Sequence, residues 1–313
     1  MLLKKEFGLI ENSYYEASVE RPPLQPPLVG ACRSDVCVIG AGYAGLSAAL
    51  ELAQRGFSVV LLEAQRVGWG ASGRNGGQVI TGFGSDGECA IERQFPREDA
   101  RRAWAITVEA VDLLRERIAR HGIDCDFRPG YLSLSTGARK SVALRHWMEH
   151  VQQAYGHPLE WIGPERIGDR VASRRFHAGV HDASSGHFHP LKFCLGLSRA
   201  AAGAGVRLHE NSPAYAVERG ARPVVRTGFG SCSCEFIVLA GNVYMGEYGD
   251  HVAPEVASRI IPVGTYMVAT EPMAQERADA LMHGRPAASD TNFILDYFRL
   301  SADHRLLFGG ADS

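Results

Sequence analysis

The sequence lacks the features that mark several large classes of protein. Its 313 residues contain no apolar run approaching the roughly 20 residues that span a bilayer. Lys4, Lys5 and Glu6 are not followed by the apolar core of a signal peptide. The formal net charge is -2, so no excess of basic residues attracts nucleic acid or an anionic membrane. We therefore expect a cytoplasmic protein without a membrane span and without a nucleic-acid partner.

Cysteine is present, but not in the pattern of a disulfide framework. The seven cysteines are an odd number and lack regular spacing, which in the cytoplasm indicates reduced thiols. Cys232 and Cys234 form the one close pair, with a single residue between them. This spacing differs from a redox Cys-x-x-Cys motif or a zinc knuckle. It favours alternate faces of a strand edge over a redox site.

The most informative segment runs from Asp35 to Gln78. An apolar strand, Val36–Ile39, leads into a Gly-x-Gly-x-x-Gly turn and a helix that Gly56 ends. A second apolar strand, Ser58–Leu62, is followed directly by Glu63. This order of strand, glycine turn, helix, strand and acid is typical of a dinucleotide-binding fold.

The glycines of the turn have separate predicted roles. Gly40 permits the tight turn, Gly42 lets the backbone approach a pyrophosphate at the helix N-terminus, and Gly45 lets the helix pack closely on the sheet. Glu63, 18 positions after Gly45, is placed to accept hydrogen bonds from both ribose hydroxyls and to repel a 2′-phosphate, which disfavours NADP. The cofactor contacts predicted in this part are Gly40, Ala41, Gly42, Tyr43, Ala44, Gly45, Glu63 and Ala64.

A second glycine-rich segment, Gly68–Gln78, favours FAD, although the glycine turn alone leaves NAD and FAD open. Six of its eleven residues are Gly or Ala, and such a loop can wrap a long cofactor with backbone N–H groups. The sequence carries one dinucleotide fingerprint, whereas flavin reductases that draw electrons from NAD(P)H usually carry two. We therefore expect a flavin reduced by an organic substrate and reoxidised by O2 or another acceptor.

The glycine turn, Glu63 and the segment Ala71–Gln78 resemble the FAD-binding half of the glycine oxidase/D-amino-acid oxidase (DAO) family. In that family the second loop lies against the flavin end of FAD. The resemblance therefore implies cofactor contacts from Gly70, Ala71, Ser72, Arg74, Asn75, Gly76, Gly77 and Gln78. It also implies a closing turn under the FAD, formed by Ala240, Gly241 and Asn242.

Further segments are similar to bacterial gamma-glutamylputrescine oxidases, namely Ser13–Tyr15, Arg259–Tyr266, Ala269–Pro272 and Asp290–Asp303. This resemblance implies a small-molecule amine substrate whose C–N bond is oxidised to an imine, which water hydrolyses to an aldehyde and ammonia. Hydrogen peroxide forms if O2 is the acceptor. Two alternatives stay open: oxidation of glycine, sarcosine or a D-amino acid, and an inactive truncated chain, because family members continue beyond the position of Ser313.

The residues predicted for the substrate cavity are Tyr266, Tyr297 and Arg299, because the matching segments belong to the family's substrate domain. Tyr297 and Arg299 alternate, which projects them to the same side of a strand. Arg299 can pair with the alpha-carboxylate of a glutamyl group. For each residue an ordinary cross-strand or surface role is the alternative. No metal is predicted, since no carboxylate or cysteine set accompanies the histidines His181, His187 and His189.

The predicted fold is α/β, with a Rossmann-like FAD-binding domain interleaved with an α+β substrate domain that contains a mixed or antiparallel sheet. The predicted bounds are 1–33 for an N-terminal arm, 34–95 and 181–245 for the FAD-binding domain, and 96–180 and 246–313 for the substrate domain. Pro22, Pro23, Pro26 and Pro27 indicate an arm that is extended on the surface or disordered. Periodicity predicts helices over 97–121, 141–155 and 191–202, and Pro129-Gly130 predicts a turn between two strands.

Overall fold

The structure is a computed structural model that describes residues 13–83, 87–249, 252–261 and 263–312. The chain forms two compact units. The first contains residues up to Asn75 together with 121–125 and 190–263, and the second contains 76–120, 126–189 and 264–313. The predictions made for residues 1–12 and for Pro262 lie outside the described residues.

The unit bounds differ from the predicted domain bounds. Residues 76–95 and 181–189, predicted for the FAD-binding domain, belong to the second unit, because strand Gln78–Val79 pairs with the end of strand Ala178–His187. Residues 121–125 and 246–263, predicted for the substrate domain, belong to the first unit.

Helices and strands are numbered in chain order. The helices are α1 Tyr14–Ala17, α2 Tyr43–Gln54, α3 Gly87–Gln94, α4 Arg97–Arg120, α5 Ala138–Tyr155, α6 Ile167–Arg170, α7 Pro190–Gly203, α8 Pro254–Ala257 and α9 Gln275–Leu281. Short 3-10 helices span Ala71–Gly73 and Asn242–Gly246. The strands are β1 Gly30–Arg33, β2 Val36–Ile39, β3 Val59–Leu62, β4 Gln78–Val79, β5 Arg128–Ser135, β6 Glu160–Ile162, β7 Ala178–His187, β8 Arg207–His209, β9 Ala214–Glu218, β10 Val224–Thr227, β11 Gly230–Ser233, β12 Phe236–Leu239, β13 Thr265–Ala269, β14 Ala287–Asp290, β15 Tyr297–Leu300 and β16 Leu306–Asp312.

A parallel sheet with the strand order β12-β2-β3-β8 is the frame of the first unit. β2 and β3 are buried along their whole length, as their unbroken apolar sequences predict. α2 contacts β2, β3 and α7, and its Ala49 and Leu50 are fully buried. Parallel strands covered by helices confirm the predicted α/β class.

A second sheet of the first unit has the order β1-β11-β10-β9. Its buried side chains share a core with the parallel sheet, and this core contains Cys37, Val60, Cys232 and Cys234. The expectation that Cys232 and Cys234 lie on alternate faces is wrong, because both side chains are buried in this same core. None of the seven cysteines, all within the described residues, forms a disulfide.

The second unit is built on a mixed sheet with the order β13-β16-β15-β14-β5-β7-β4, and β6 pairs with β7. β14 runs parallel to β5 and antiparallel to β15, in agreement with the predicted mixed sheet. One face of the sheet packs into an apolar core that includes Leu132, Leu134, Ile162, Phe298 and Leu300.

The turn predicted at Pro129-Gly130 is wrong. Both residues lie inside β5, whose pairing with β7 shifts register between Pro129 and Tyr131. Gly130 has a φ of +101°, so the pair forms an irregularity within one strand instead of a reversal between two. The three predicted helices are present as α4, α5 and α7. Among the described helices, none is long and apolar enough to cross a membrane.

Candidate cofactor site

The first glycine turn connects β2 to α2 through two close backbone approaches. Gly40 has a φ of +107°, and a Cβ atom there would lie 2.6 Å from the carbonyl oxygen of Ala240. A Cβ atom on Gly45 would lie 1.9 Å from the carbonyl oxygen of Gly40. Both positions therefore require glycine, the first also for its backbone conformation.

Gly42 stands at the N-terminus of α2, where the first N–H groups have no acceptor within the helix. A Cβ atom on Gly42 would lie 2.7 Å from the hydroxyl oxygen of Ser72, which also accepts a hydrogen bond from the Tyr43 N–H at 3.1 Å. The helix dipole and these N–H groups favour an anion such as a pyrophosphate.

Glu63 follows β3 and reaches the first glycine turn. Its carboxylate accepts hydrogen bonds from the N–H groups of Ala41 at 2.7 Å and Gln65 at 3.0 Å. Burial raises the pKa of Glu63 above its ordinary value, although these two bonds act in the opposite direction. An ionised carboxylate can accept about four hydrogen bonds, so Glu63 retains acceptor capacity for ribose hydroxyls.

The part of the second glycine-rich segment that precedes Asn75 is held by Arg74. The Arg74 guanidinium donates to the carbonyl of Gly70 at 3.2 Å and to the hydroxyl of Tyr244 at 2.8 Å. It also lies over the ring of Trp69, 5.4 Å from the ring centroid. Arg74, predicted as a flavin contact, thus joins the segment to residues after β12.

Asn75 closes the same segment on itself. Its side-chain amide donates to the carbonyls of Ala71 at 3.1 Å and Ser72 at 2.9 Å, and to the hydroxyl of Tyr43 at 3.2 Å. The hydroxyl of Tyr15, from α1, donates to the carbonyl of Asn75 at 2.8 Å. These contacts assign Asn75 a structural role within the segment.

The exit from β12 passes under the first glycine turn. Ala240 N–H donates to the carbonyl of Ile39 at 2.8 Å, which continues the pairing of β12 with β2. Asn242 has a φ of +50°, a left-handed conformation that asparagine adopts more readily than most residues. A Cβ atom on Gly241 would lie 2.7 Å from the sulfur of Met245, so the turn is tightly packed.

These segments of the first unit line a cleft with about 730 Å³ of space, partly open to solvent. The predicted cofactor residues that line it are Gly40, Ala41, Gly42, Glu63, Ala64, Gly70, Ala71, Ser72, Ala240, Gly241 and Asn242. The same unit contains further predicted residues that are not among the described lining residues, namely Tyr43, Ala44, Gly45, Arg74 and Asn75.

Three aromatic residues that the sequence prediction missed also line the cleft: Trp69, Tyr244 and Tyr248. The rings of Trp69 and Tyr244 meet edge to face with centroids 5.5 Å apart. Gln65 donates to the Tyr248 hydroxyl at 3.1 Å. The sequence signal for Tyr244 was its position directly after the Gly241-Asn242 exit, and Trp69 lay within the glycine-rich segment already singled out.

The predicted contacts Gly76, Gly77 and Gln78 belong to the second unit. Gly77 has a φ of +71°, and its carbonyl accepts a hydrogen bond from the Phe188 N–H at 2.8 Å. Gln78 begins β4, and its side-chain amide donates to the carbonyl of Ala288 at 3.2 Å. The second glycine-rich segment is therefore divided between the two units.

Two of the three predicted substrate residues approach Gly76. Arg299, 3% exposed, donates from Nε to the carbonyl of Gly76 at 2.6 Å. A Cβ atom on Gly76 would lie 3.0 Å from the ring of Tyr297, so Tyr297 and Arg299 project to the same side of β15. Tyr266 lies on β13 and is 48% exposed.

The histidines of β7 and its exit do not form a metal site. His187 is buried and donates from Nε2 to the carbonyl of Arg285 at 2.9 Å. Burial, reinforced by the charge of Arg299, lowers the pKa of His187 to about 3, so this imidazole is neutral near pH 7. No group of three or more His, Cys, Asp or Glu side chains within the described part of the chain is arranged to hold a metal ion.

Comparison with known proteins decides the family. The sequence model of the family described as DAO, FAD dependent oxidoreductase, matches residues 35–313. The chain belongs to this family. It is 39% identical over 299 residues to gamma-glutamylputrescine oxidoreductase of Escherichia coli strain K12, a match that covers 96% of this chain and 69% of that protein. It is 37% identical over 304 residues to the probable oxidoreductase OrdL of Haemophilus influenzae, covering 96% of this chain and 70% of that protein.

Solved structures show the same fold. Glycine oxidase from Geobacillus kaustophilus superposes with a TM-score of 0.68 at 20% identity, covering 90% of this chain and 72% of that one. L-Proline dehydrogenase from P. horikoshii superposes with a TM-score of 0.70 at 20% identity, covering 91% and 71%. The predicted DAO-type fold is confirmed.

The residues of the first unit fit FAD, the cofactor of this family. The N-terminus of α2 and the close approach at Gly42 suit a pyrophosphate, and Glu63 has acceptor capacity for a ribose. The protein is thus an FAD-dependent oxidoreductase of the DAO family.

Proposed function

We propose that this oxidoreductase acts on an amine, with gamma-glutamylputrescine as its substrate. The observation that carries the proposal is the 39% identity to gamma-glutamylputrescine oxidoreductase, spread over 96% of the chain. The amine carbon is oxidised to an imine, and water releases the aldehyde and ammonia. With O2 as the acceptor, the second product is hydrogen peroxide.

FAD, when bound, supplies the redox step by taking two electrons from the substrate. The first unit's own residues would hold the cofactor: α2 and the first glycine turn would receive the pyrophosphate, and Glu63 would accept hydrogen bonds from the adenosine ribose. The substrate needs its amine unprotonated and its C–H bond directed toward the flavin.

We further propose that Tyr266, Tyr297 and Arg299 act on the substrate side. Support comes from the second unit, where Tyr297 and Arg299 share one side of β15 and both approach Gly76. Because one guanidinium nitrogen of Arg299 already donates to a backbone carbonyl, this residue also orders the Gly76-Gly77 backbone. In this proposal the positive charge of the Arg299 guanidinium attracts a carboxylate of the substrate.

Anaerobic reduction of the purified flavoprotein tests the substrate. Gamma-glutamylputrescine, putrescine, glycine, sarcosine and D-alanine are each mixed with the oxidised protein, and loss of the visible flavin absorbance is followed. We expect gamma-glutamylputrescine to bleach the flavin fastest. Bleaching by the amino acids alone would favour the glycine oxidase type of activity and reject the proposal. Hydrogen peroxide measured after admitting air tests O2 as the acceptor.

A further inference from the structure

The N-terminal segment Ser13–Leu28 is tied to the backbone that forms the cofactor cleft. The sequence indicated only an extended or disordered arm, but this part is ordered by repeated hydrogen bonds to the first unit. Tyr15, 5% exposed, donates to the carbonyl of Asn75, and the Leu28 N–H donates to the Ser212 hydroxyl at 2.9 Å. The Arg66 guanidinium donates to the carbonyl of Pro22 at 2.8 Å.

Two buried ionisable side chains hold Val67 from opposite sides. Arg21 donates from its guanidinium to the Val67 carbonyl at 2.8 Å. Glu210 accepts from the Val67 N–H at 2.7 Å, and its other carboxylate oxygen accepts from the Gln25 N–H at 2.8 Å. Glu210 therefore joins the N-terminal segment, the chain after β3 and the chain after β8.

Both side chains are committed to these contacts. Glu210 is 4% exposed, and a carboxylate buried to this degree is stable only when its oxygens accept hydrogen bonds. The side chain of Arg21 is 8% exposed and donates from Nε to Glu16 at 2.7 Å. A planar guanidinium can pair with a carboxylate and still donate to a carbonyl, which a lysine ammonium cannot do with the same geometry.

The hydrogen bonds that hold Val67 also affect the cleft, because the next residue lines it. The next residue, Gly68, lines the cleft and donates from its N–H to the carbonyl of Ala41 at 3.0 Å. Ala41 in turn donates to Glu63. A shift of Val67 would therefore disturb Gly68, Ala41 and the carboxylate predicted to bind the ribose.

We propose that Arg21 and Glu210 are positioning residues for the FAD cleft, which they shape by holding the Val67 peptide groups in place. Neither residue lines the cleft among its described residues, so the effect on the cofactor is indirect. The inference rests on the FAD dependence of the family and is independent of which amine is oxidised.

The test measures FAD binding by the apoprotein of the full chain, with Glu210→Gln and Arg21→Met as the main variants. A glutamine has one acceptor oxygen, so one of the two backbone N–H bonds of Glu210 is lost. We expect the dissociation constant for FAD to rise by about tenfold, the ratio that corresponds to losing one hydrogen bond to a charged group. The visible circular dichroism of the bound flavin reports whether its surroundings have changed.

Asp35→Ala is the control for a general loss of stability, because it removes both of the hydrogen bonds that Asp35 accepts from Ser58. Asp35 accepts from the Ser58 N–H and hydroxyl, both at 2.7 Å, at the ends of β2 and β3 opposite the cleft. This variant should lower the Tm of the apoprotein and leave FAD affinity and flavin dichroism unchanged. If Arg21→Met does not fold, FAD binding is measured with Arg21→Lys, which keeps the charge.

The inference would be overturned if the Glu210 and Arg21 variants bound FAD with the same affinity and the same flavin dichroism as the wild type. Equal weakening of FAD binding by Asp35→Ala would also overturn it, because the effect would then be general destabilisation. The proposed amine substrate is tested by a different experiment. If the wild-type protein binds FAD but gamma-glutamylputrescine does not reduce the flavin, the substrate proposal is wrong, and the comparison of FAD affinities between variants still stands.

Discussion

The first glycine turn and the part of the second glycine-rich segment up to Asn75 are held by different contacts. In the first turn, Gly45 packs against the carbonyl of Gly40, five residues earlier, so the close contact is made within the motif itself. In the second segment, Arg74 depends on Tyr244 and the Asn75 carbonyl depends on Tyr15. The second segment has a similar local contact, since a Cβ atom on Gly73 would lie 2.0 Å from the Gly68 carbonyl oxygen, but it also relies on side chains that are distant in the chain.

The largest effect is expected for a substitution in the first glycine turn. Gly45→Ala places a Cβ atom 1.9 Å from the Gly40 carbonyl oxygen, and neither backbone group can move away without separating α2 from the sheet. We expect a loss of more than about 3 kcal/mol in the free energy of unfolding and purification without flavin. Urea unfolding and the flavin-to-protein absorbance ratio measure the two effects.

Gly203→Ala is the control for that substitution. A Cβ atom there meets no atom within 4 Å, so flavin content and stability should stay near those of the wild type. A Gly45→Ala protein that keeps a full complement of FAD would show that the close contact does not limit cofactor binding.

A smaller effect is expected in the second segment. Asn75→Ala removes three hydrogen bonds from the side-chain amide, yet leaves the backbone bond from Tyr15. Because the groups are partly exposed, the expected loss is about 2 kcal/mol in stability, with a weaker affinity for FAD. Asn75→Asp keeps the size but not the donors, and should behave like the alanine variant. Full recovery by aspartate would assign the role to side-chain volume.

The difference between local contacts and contacts that are distant in the chain explains which features could be predicted from the sequence. The strand, glycine turn, helix and acid from Val36 to Glu63 follow from local patterns, and the structure places β2, α2 and β3 there. Resemblance supplied the family and the exit at Ala240–Asn242. These features depend on backbone conformations that only certain residues adopt, so they can be recognised from short stretches of sequence.

Other features depend on tertiary contacts and left no local signal. No local pattern marks Glu210, because its partners Val67 and Gln25 lie 143 and 185 positions away. The division of the second glycine-rich segment follows from the pairing of β4 with β7, and a two-residue strand has too short a pattern to predict. Pro129-Gly130 was mistaken for a turn, since a strand irregularity uses the same residues.

The smallest effect concerns pH and Glu63, whose carboxylate accepts a hydrogen bond from the first glycine turn. Burial raises the pKa of Glu63 in the folded apoprotein. A raised pKa means that ionising Glu63 disfavours the fold, so its contribution to stability is lost as the pH rises from the ordinary glutamate value through the folded one. Glu63→Gln cannot ionise. We therefore expect the stability of the wild-type apoprotein relative to this variant to be constant below that range and to fall as the pH rises through it.

FAD should show the opposite dependence, because ribose hydroxyls donate to the ionised carboxylate and lower its pKa. Wild-type affinity for FAD should increase as the pH rises through the pKa of Glu63 in the apoprotein, while that of Glu63→Gln should be weaker and flat over the same range. Thermal unfolding of the apoproteins and FAD titrations across this range measure both trends. If the wild-type affinity is also flat, Glu63 is not the group that couples the ribose to the proton, and the acid serves only to hold the Ala41 N–H of the first turn.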